Sequence, residues 1–341
     1  MKRVLIVRLG ALGDVVHAIP VAAALRRAFP DARLDWLVSA KHRAILDLVP
    51  VIDRRLVIND RTDANGGSSL LAAIRELRAA HYDVVLDLQG LIKSALLARS
   101  TGAPRVIGFG AGYARESLAR WFYTDAYDPG RGGMYHPRET RHVVEINLAI
   151  LETLEIASEP AEFPLERAAS AVAARVADET GGRYVLVNPG AAWPNKRWPA
   201  ARFGALAAAI RERTGLRSVV LWGPGEQALA DEVVAAAGGA AVVSPETSVA
   251  DLVALARGAA LMVSGDTGPT HIASAVGTPV VGIFGPTRPS RNGPLSPTDA
   301  VVSRDAECQC HHLRRCVRDR MCLLDIEVDE VLAAARTVID R

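Results

Sequence analysis

The sequence predicts an α/β protein of two domains, each with a parallel β-sheet flanked by helices. Three observations support this prediction. Short apolar runs alternate with helix-like segments along nearly the whole chain. A proline-containing segment of mixed polarity, residues 157–164, interrupts the alternation once. The length of 341 residues is enough for two cores of ordinary size.

The elements can be assigned in order from these patterns. In the first half, strands are predicted at residues 4–7, 34–38, 54–58, 84–88 and 105–107, with helices at 70–80 and about 141–154. In the second half, strands are predicted at 184–187, 218–221, 241–243, 261–263 and 280–283, with helices at 200–213, 227–237, 249–256, 270–276 and 328–339. We place the domains at 1–160 and 161–325, and expect a final segment, 326–341, to pack back toward the first domain.

The composition is that of an ordinary globular protein, with 50% hydrophobic residues, 23% charged residues and a net charge of +2. So small a net charge gives no reason to expect a nucleic-acid partner. No apolar run approaches the roughly eighteen residues that a membrane span needs. A strand is predicted directly at the N-terminus, so no signal peptide is expected and the cytoplasm is the expected location.

The strongest candidate site follows the predicted strand 261–263. Gly265, Asp266, Thr267 and Gly268 form a turn, and Pro269 then occupies a favoured first position of a helix. The free N–H groups of such a helix, with the Thr267 hydroxyl, can bind phosphate oxygens. The same residues also fit a helix cap without a ligand. A second turn after the next strand, residues 285–287, favours a site.

Two further strand-end turns supply charged candidates. Lys196, in the segment 188–199, is one of only four lysines in the chain, and its place beside the 265–268 turn favours a diphosphate contact. A solvated surface lysine is the alternative. Glu226 follows another strand and could accept hydrogen bonds from a nucleoside.

The first turn of the chain contains Gly10, Gly13 and Asp14, between a predicted strand and a helix. A carboxylate in such a turn can take a proton from an attacking hydroxyl, and it can equally cap the helix. The sequence leaves both interpretations open. It contains neither the P-loop nor the dinucleotide fingerprint, which disfavours phosphoryl transfer and nicotinamide chemistry.

The segments RLGALGDVVHAIP, LDLQGLIKSALLA, RESLARWFYTD, NPGAAWPNKRWP and GDTGPTHIASAVGTPVVGIFGPT together resemble the ADP-heptose:lipopolysaccharide heptosyltransferases, glycosyltransferase family 9. Several of them are most similar to the heptosyltransferase I branch. The resemblance implies the GT-B arrangement, two facing Rossmann-like domains with a cleft between them. It also implies an inverting transfer of heptose from ADP-heptose to the Kdo sugar of Kdo2-lipid A, at the inner face of the inner membrane.

The resemblance also implies roles for individual residues. Asp14 would be the general base, and Lys196 with the helix N-terminus at 267–270 would stabilise the departing ADP, so that catalysis requires no cofactor. Besides Lys196, the residues implied to bind the donor are Ala191, Ala192, Glu226, Asp266, Thr267, Gly268 and His271. Relatives often carry hydroxyl residues where this chain has the two alanines, so only backbone contacts are expected there.

The anionic acceptor is expected to meet basic residues of the first domain. The residues implied to bind it are Gly13, His17, Lys93, Arg115, Arg120, Arg141 and His142. From its position alone each charged residue also fits a solvated surface charge, and His17 also fits a partly buried structural histidine.

Four cysteines lie close together near the end of the chain, at Cys308, Cys310, Cys316 and Cys322. In a cytosolic protein such clustering suggests a metal before a disulfide, although the spacing is not that of a standard zinc site. A structural metal and reduced or redox-labile cysteines both remain possible, and catalysis should not depend on either.

Two alternatives stay within the same class, a heptosyltransferase II and a transferase for another sugar nucleotide. The alternatives from other classes are a non-catalytic nucleotide-binding protein and a sugar-nucleotide epimerase or dehydrogenase. A binding protein needs no base, and the missing dinucleotide fingerprint disfavours the redox enzyme.

Overall fold

The structure is a computed structural model that describes residues 1–59, 66–157, 159–308, 313–317 and 320–340. The chain divides into two compact units, residues 1–166 and 167–341. The predicted boundary at 160 falls six residues before this one. The reason is that the intervening segment is tied to the first unit, where Arg27 pairs with Glu159 and Glu162, and the Glu166 N–H donates to the Leu48 carbonyl.

The described part of the first unit contains one six-stranded parallel sheet with the order β3-β2-β1-β4-β5-β6. Its strands are β1 (Arg3–Val7), β2 (Arg33–Ser39), β3 (Arg54–Ile58), β4 (Val84–Asp87), β5 (Arg105–Phe109) and β6 (Asp125–Tyr127). Its α-helices are α1 (Leu12–Val16), α2 (Ile19–Ala28), α3 (Gly66–Ala79), α4 (Ile92–Ser100) and α5 (Val143–Ala149), and 3₁₀ helices occupy Ala40–Leu48, Ser117–Phe122 and Ile150–Leu154.

The second unit has the same topology. Its described residues form a six-stranded parallel sheet with the order β12-β11-β10-β7-β8-β9. The strands are β7 (Tyr184–Asn188), β8 (Arg217–Val220), β9 (Ala241–Val243), β10 (Leu261–Gly265), β11 (Val280–Phe284) and β12 (Ala300–Ser303). The α-helices are α6 (Ala171–Thr180), α7 (Ala200–Thr214), α8 (Gln227–Ala236), α9 (Val249–Gly258), α10 (Gly268–Ala275), α11 (Pro289–Asn292) and α12 (Val328–Ile339), with 3₁₀ helices at Pro194–Lys196 and Cys322–Asp325.

Both sheets therefore have the strand order of a Rossmann-like domain, which confirms the predicted α/β class. In each unit the first and fourth strands are neighbours, β1 with β4 and β7 with β10. The connections leaving two such strands run to opposite sides, so a crevice opens at their carboxyl ends. The candidate residues Asp14, Lys93, Lys196 and Asp266 lie in the loops and first helical turns that follow these four strands.

The cores explain why these segments are strands and helices. The central strands are apolar along most of their length because both faces are covered, and Val4 to Val7 and Tyr184 to Val187 are almost completely buried. Helix α7 packs one apolar face, with Phe203, Leu206 and Ile210, on the sheet of the second unit.

The final helix, α12, packs its apolar face on α7 and on strands β10, β11 and β12. Val331, Ala335 and Val338 lie in the hydrophobic core of the second unit. The final segment is thus part of the core of the second unit, and its predicted packing toward the first domain stays a prediction. Among the described residues, no helix has both the length and the hydropathy that a membrane crossing requires.

Candidate active site

Two contacts in the segment that follows β1 hold the Asp14 carboxylate in place. Asp14 lies in the first turn of α1, and its Oδ2 accepts a hydrogen bond of 3.1 Å from the Ala11 N–H. Arg8, the residue after β1, places its Nη2 3.0 Å from Asp14 Oδ1. Arg8 is itself buried, and its Nη1 donates to the Leu88 carbonyl. The carboxylate therefore acts as a cap and also has a fixed orientation.

The loop after β4 supports the same turn. The side-chain oxygen of Gln89 accepts hydrogen bonds from the N–H groups of Leu9 at 3.0 Å and Gly10 at 3.3 Å. A Cβ on Gly10 would collide with the ring of His42, so this position requires glycine. Sequence reasoning missed the contributions of Arg8 and Gln89, because neither lies in the helix that contains Asp14.

Five of the seven predicted acceptor residues fall into two groups. Gly13 and His17 lie on or directly after α1, and Arg115 places its Nη1 4.0 Å from Asp14 Oδ2. Lys93 lies on the exposed face of α4, and Arg120 stacks over Trp121 at 4.2 Å. The first group is close to the carboxylate, and an acceptor role for both groups stays a prediction.

Arg141 and His142 have structural partners. Arg141 donates two side-chain hydrogen bonds to the buried Glu139, at 2.9 and 2.6 Å, and Tyr113 donates a third at 2.5 Å. The hydrogen bonds from Arg141 lower the pKa of Glu139 to about 2, against the effect of burial. His142 caps α5, and its ring lies 5.3 Å from the ring of His17.

The second unit gathers a lysine, an aspartate and a histidine at the end of β10. Lys196 Nζ lies 2.6 Å from Asp266 Oδ2, and His271 Nε2 lies 3.1 Å from Oδ1. Burial alone would raise the pKa of Asp266, but the hydrogen bond with His271 and the charge of Lys196 outweigh it and hold that pKa well below its ordinary value. The ammonium also lies 4.6 Å from the centre of the Trp193 ring. Asp266 thus fixes the position of Lys196.

The first turn of α10 has no side-chain cap. Thr267 is the N-cap residue, but its hydroxyl is turned to Asn188, Ser264 and Thr270 at 3.0–3.1 Å. Asn188 Nδ2 also donates to the Gly190 carbonyl, so it links the loops after β7 and β10. Sequence reasoning missed this polar network, since its members come from separate segments. Gly268 opens the helix, whose N-terminus carries partial positive charge.

Glu226 lies in the loop after β8 and contacts the loop after β7. Its Oε1 lies 3.5 Å from Arg197 Nη2, and its Oε2 accepts from the Gly223 N–H at 3.3 Å. Arg197 also donates to the carbonyl of the buried Ala191 at 2.8 Å, while Ala192 is exposed. A Cβ on Gly190 would collide with the Glu226 carboxylate.

The cysteine cluster has no support as a metal site. Cys310 lies outside the described residues, and Cys308 and Cys316 are partly exposed. Cys322 is buried against Gly285. Within the described ranges, no three His, Cys, Asp or Glu side chains are grouped so that they could hold a metal ion. A structural metal here stays a prediction.

Comparison with known proteins identifies the family. The model of the family described as glycosyltransferase family 9 (heptosyltransferase) matches residues 70–321. Lipopolysaccharide heptosyltransferase 1 of Pseudomonas aeruginosa is 32% identical over 318 residues, which cover 90% of this chain and 85% of that protein. The chain belongs to glycosyltransferase family 9. It is therefore a transferase, and the prediction from its sequence segments is confirmed.

Other relatives of this family 9 enzyme agree. Lipopolysaccharide heptosyltransferase 1 of Escherichia coli K12 is 29% identical and covers 85% of the chain and 90% of its own length. The family 9 glycosyltransferase structure from Veillonella parvula has a TM-score of 0.82, with 25% identity and coverage of 99% and 97%. The E. coli heptosyltransferase WaaC with ADP-2-deoxy-2-fluoro heptose has a TM-score of 0.71, with 25% identity and coverage of 88% and 93%.

Proposed function

We propose that this enzyme transfers heptose from ADP-heptose to the Kdo sugar of Kdo2-lipid A, with inversion at the sugar carbon. The observation that carries the proposal is the similarity over 90% of the chain to a lipopolysaccharide heptosyltransferase 1. The solved relative with a fluorinated ADP-heptose supports the same donor. The acceptor lies in a membrane, so the enzyme would work at the inner face of the inner membrane.

The second unit would bind the donor. The ammonium of Lys196 has three N–H donors, of which Asp266 accepts one, so the others can reach phosphate oxygens. The uncapped N–H groups at the start of α10 add positive charge beside it. Backbone groups of Ala191 and Ala192 and the carboxylate of Glu226 would contact the rest of the nucleotide.

The first unit would activate the acceptor. As the acceptor oxygen bonds to the sugar carbon, Asp14 takes its proton, and the bond from that carbon to the diphosphate breaks. The bonding electrons leave with ADP, and Lys196 and the α10 N-terminus stabilise the growing negative charge. Because a protein cation supplies this stabilisation, the proposal needs no divalent metal. A general base of this kind typically contributes about 10²–10⁴ in rate.

A transfer assay tests the proposal. Purified enzyme is incubated with ADP-heptose and Kdo2-lipid A, and heptosylated product and free ADP are measured by mass spectrometry, with and without EDTA. We expect one heptose per acceptor and no effect of EDTA. Loss of turnover in EDTA contradicts the metal-independent step, and product only with a heptose-terminated acceptor contradicts the Kdo assignment.

One alternative within the family has its own support. Lipopolysaccharide heptosyltransferase 3 of E. coli K12 is 29% identical over 285 residues, a shorter match than that to the heptosyltransferase 1 proteins described above. The same assay with Kdo-terminated and heptose-terminated acceptors in parallel decides between the first heptose and a later one, including that of a heptosyltransferase II.

A further inference from the structure

Three large apolar side chains are exposed on two neighbouring elements of the first unit. Trp121 is 70% exposed and Leu118 59% exposed, both on the 3₁₀ helix Ser117–Phe122. Leu96 is 48% exposed on α4, and the two helices pack against each other. Single exposed apolar residues are ordinary, whereas a group of them marks an interaction surface. We call Leu96, Leu118 and Trp121 the apolar patch.

Basic residues surround the apolar patch. Lys93 and Arg99 lie on the exposed face of α4, one turn to either side of Leu96, and Arg115 and Arg120 flank Leu118 along the chain. The Arg120 guanidinium stacks over the Trp121 ring at 4.2 Å. The one acidic residue in these two segments, Glu116, is engaged at the start of α4, where its Oε2 accepts from the Ile92 N–H at 2.7 Å.

Hydrogen bonds fix the two segments relative to each other. The Glu116 N–H also donates to the Gly90 carbonyl at 2.9 Å, so the chain before the 3₁₀ helix is bonded to the loop before α4. Below the surface, Tyr123 and Ser94 both donate to the buried Asp87, each at 2.8 Å. The two segments are therefore anchored by hydrogen bonds. Their apolar side chains are exposed although the backbone that carries them is packed in place.

A surface of tryptophan and leucine that is surrounded by lysine and arginine is complementary to the surface of an anionic bilayer. Tryptophan favours the boundary between headgroups and acyl chains, and cations favour acidic headgroups. We propose that the apolar patch inserts into an anionic membrane surface and that Lys93, Arg99, Arg115 and Arg120 hold its headgroups. This inference rests on the proposed function, because it names the surface on which the lipid acceptor is met.

The position of Arg115 connects this surface to the chemistry. Its Nη1 lies 4.0 Å from Asp14 Oδ2, so the basic rim extends to the carboxylate proposed as the base. A lipid-linked sugar lies just above the headgroups of its own bilayer. An enzyme docked through the apolar patch would therefore meet that sugar at the level of Asp14, without lifting the lipid out of the membrane.

Vesicle binding tests the inference without any sugar chemistry. The full-length protein is mixed with vesicles of phosphatidylglycerol and phosphatidylcholine, or of phosphatidylcholine alone, and the bound fraction is measured by sedimentation. We expect binding to the anionic vesicles only, with affinity falling as salt rises. The double variant Trp121→Ala, Leu118→Ser should bind roughly tenfold or more weakly. Arg120→Ala should weaken binding about fivefold, which corresponds to about 1 kcal/mol.

Leu71→Ser is the matched control, since Leu71 is 58% exposed on α3 of the same unit and should bind as the parent does. The circular dichroism spectrum and melting curve of every variant show whether the fold is intact. Equal sedimentation of parent and double variant overturns the inference, as does an absence of parental binding to anionic vesicles. A parental dimer that the double variant loses would assign the apolar patch to a second copy of the chain. The vesicles contain no acceptor, so failure of the proposed transfer would not change these outcomes.

Discussion

The Arg8 guanidinium lies 3.0 Å from one carboxylate oxygen of Asp14, while the Ala11 N–H donates to the other oxygen at 3.1 Å. A cap alone would not need the arginine, and a base alone would not need the backbone contact. The side chain performs the structural role and is also held in one orientation, as the proposed general base would need to be. The two interpretations that the sequence leaves open are therefore compatible, and a suitable substitution can separate them.

Asp14→Asn should slow turnover strongly and leave the protein folded. The amide oxygen can still accept from the Ala11 N–H, but the side chain can no longer take a proton at neutral pH. We expect kcat to fall by about 10²–10⁴ and ADP affinity to stay close to that of the parent, with a loss of about 1 kcal/mol in stability because the buried Arg8 guanidinium loses its anionic partner. Steady-state kinetics, calorimetric titration with ADP and a melting curve measure the three quantities.

Asp14→Ala is the comparison, because it removes the cap as well as the base. It should lose turnover in the same way and about 1 kcal/mol more stability than Asp14→Asn, because the contact with the Ala11 N–H is lost as well. An Asp14→Asn enzyme that turns over at the parental rate would show that another group accepts the proton.

Lys196→Met should weaken both ADP binding and the fold. Only 15% of the Lys196 side chain and 5% of the Asp266 side chain are exposed, so removing the ammonium leaves a buried carboxylate with His271 as its remaining partner in this cluster. We expect a loss of about 3 kcal/mol in the free energy of unfolding. The lost contact to phosphate should weaken ADP binding by roughly ten- to a hundredfold.

The double variant Lys196→Met, Asp266→Asn separates these effects. With both charges removed, most of the stability should return, whereas ADP binding should stay weak. Urea unfolding and ADP titration of the parent, both single variants and the double variant complete the cycle. Recovery of ADP affinity in the double variant would mean that Lys196 acts only through Asp266.

Gly190→Ala should weaken ADP binding with little cost in stability. The added Cβ would collide with the Glu226 carboxylate, which is the flexible end of a side chain and can move away. We expect the affinity for ADP to fall as far as in Glu226→Ala, with a change in unfolding free energy of about 0.5 kcal/mol or less. Calorimetry and urea unfolding measure both quantities.

A cycle with Glu226→Ala provides the control. If Gly190→Ala acts by displacing Glu226, adding it to Glu226→Ala should change ADP affinity no further. Additive losses would show that Gly190 contributes in some other way.

The lowered pKa of Glu139 predicts that part of the stability of the fold depends on pH. Its pKa is lowered from 4.5 to about 2 in the folded protein, so its ionised form stabilises the fold at pH values above 4.5, and this contribution is lost as the pH falls toward 2. The shift corresponds to about 3 kcal/mol at pH 7. Glu139→Gln should therefore be less stable at pH 7, and the gap to the parent should shrink to about half at pH 3. Urea unfolding at several pH values measures the gap, and a gap independent of pH would contradict the assignment.

Much of the fold follows from local patterns. The apolar runs predict ten of the twelve described strands, and strands β3 and β9 have the bounds that were predicted. The edge strands β6 and β12 were missed, because each is short and only partly buried and so lacks a continuous apolar run. The predicted helix 141–154 is an α-helix up to Ala149 and a 3₁₀ helix from Ile150.

The sequence predicted those parts of the candidate site that lie within a single segment. The turn with Asp266 and the loop with Lys196 are each visible in the sequence, and strand order brings them together. The partners Arg8, Gln89 and Asn188 were not predicted, because their roles depend on contacts with other loops. The pairing of Arg141 with Glu139 was missed for a different reason, since a local salt bridge and a substrate contact look alike in a sequence.

The shared strand order of the two sheets has one more consequence. Asp14 follows the first strand of its sheet, and Lys196 follows the first strand of the other. The two residues occupy equivalent positions in two units with the same strand order, although no sequence repeat between the units is visible. The same position after the first strand thus carries a carboxylate in one unit and an ammonium in the other, while the connectivity of the two sheets is the same.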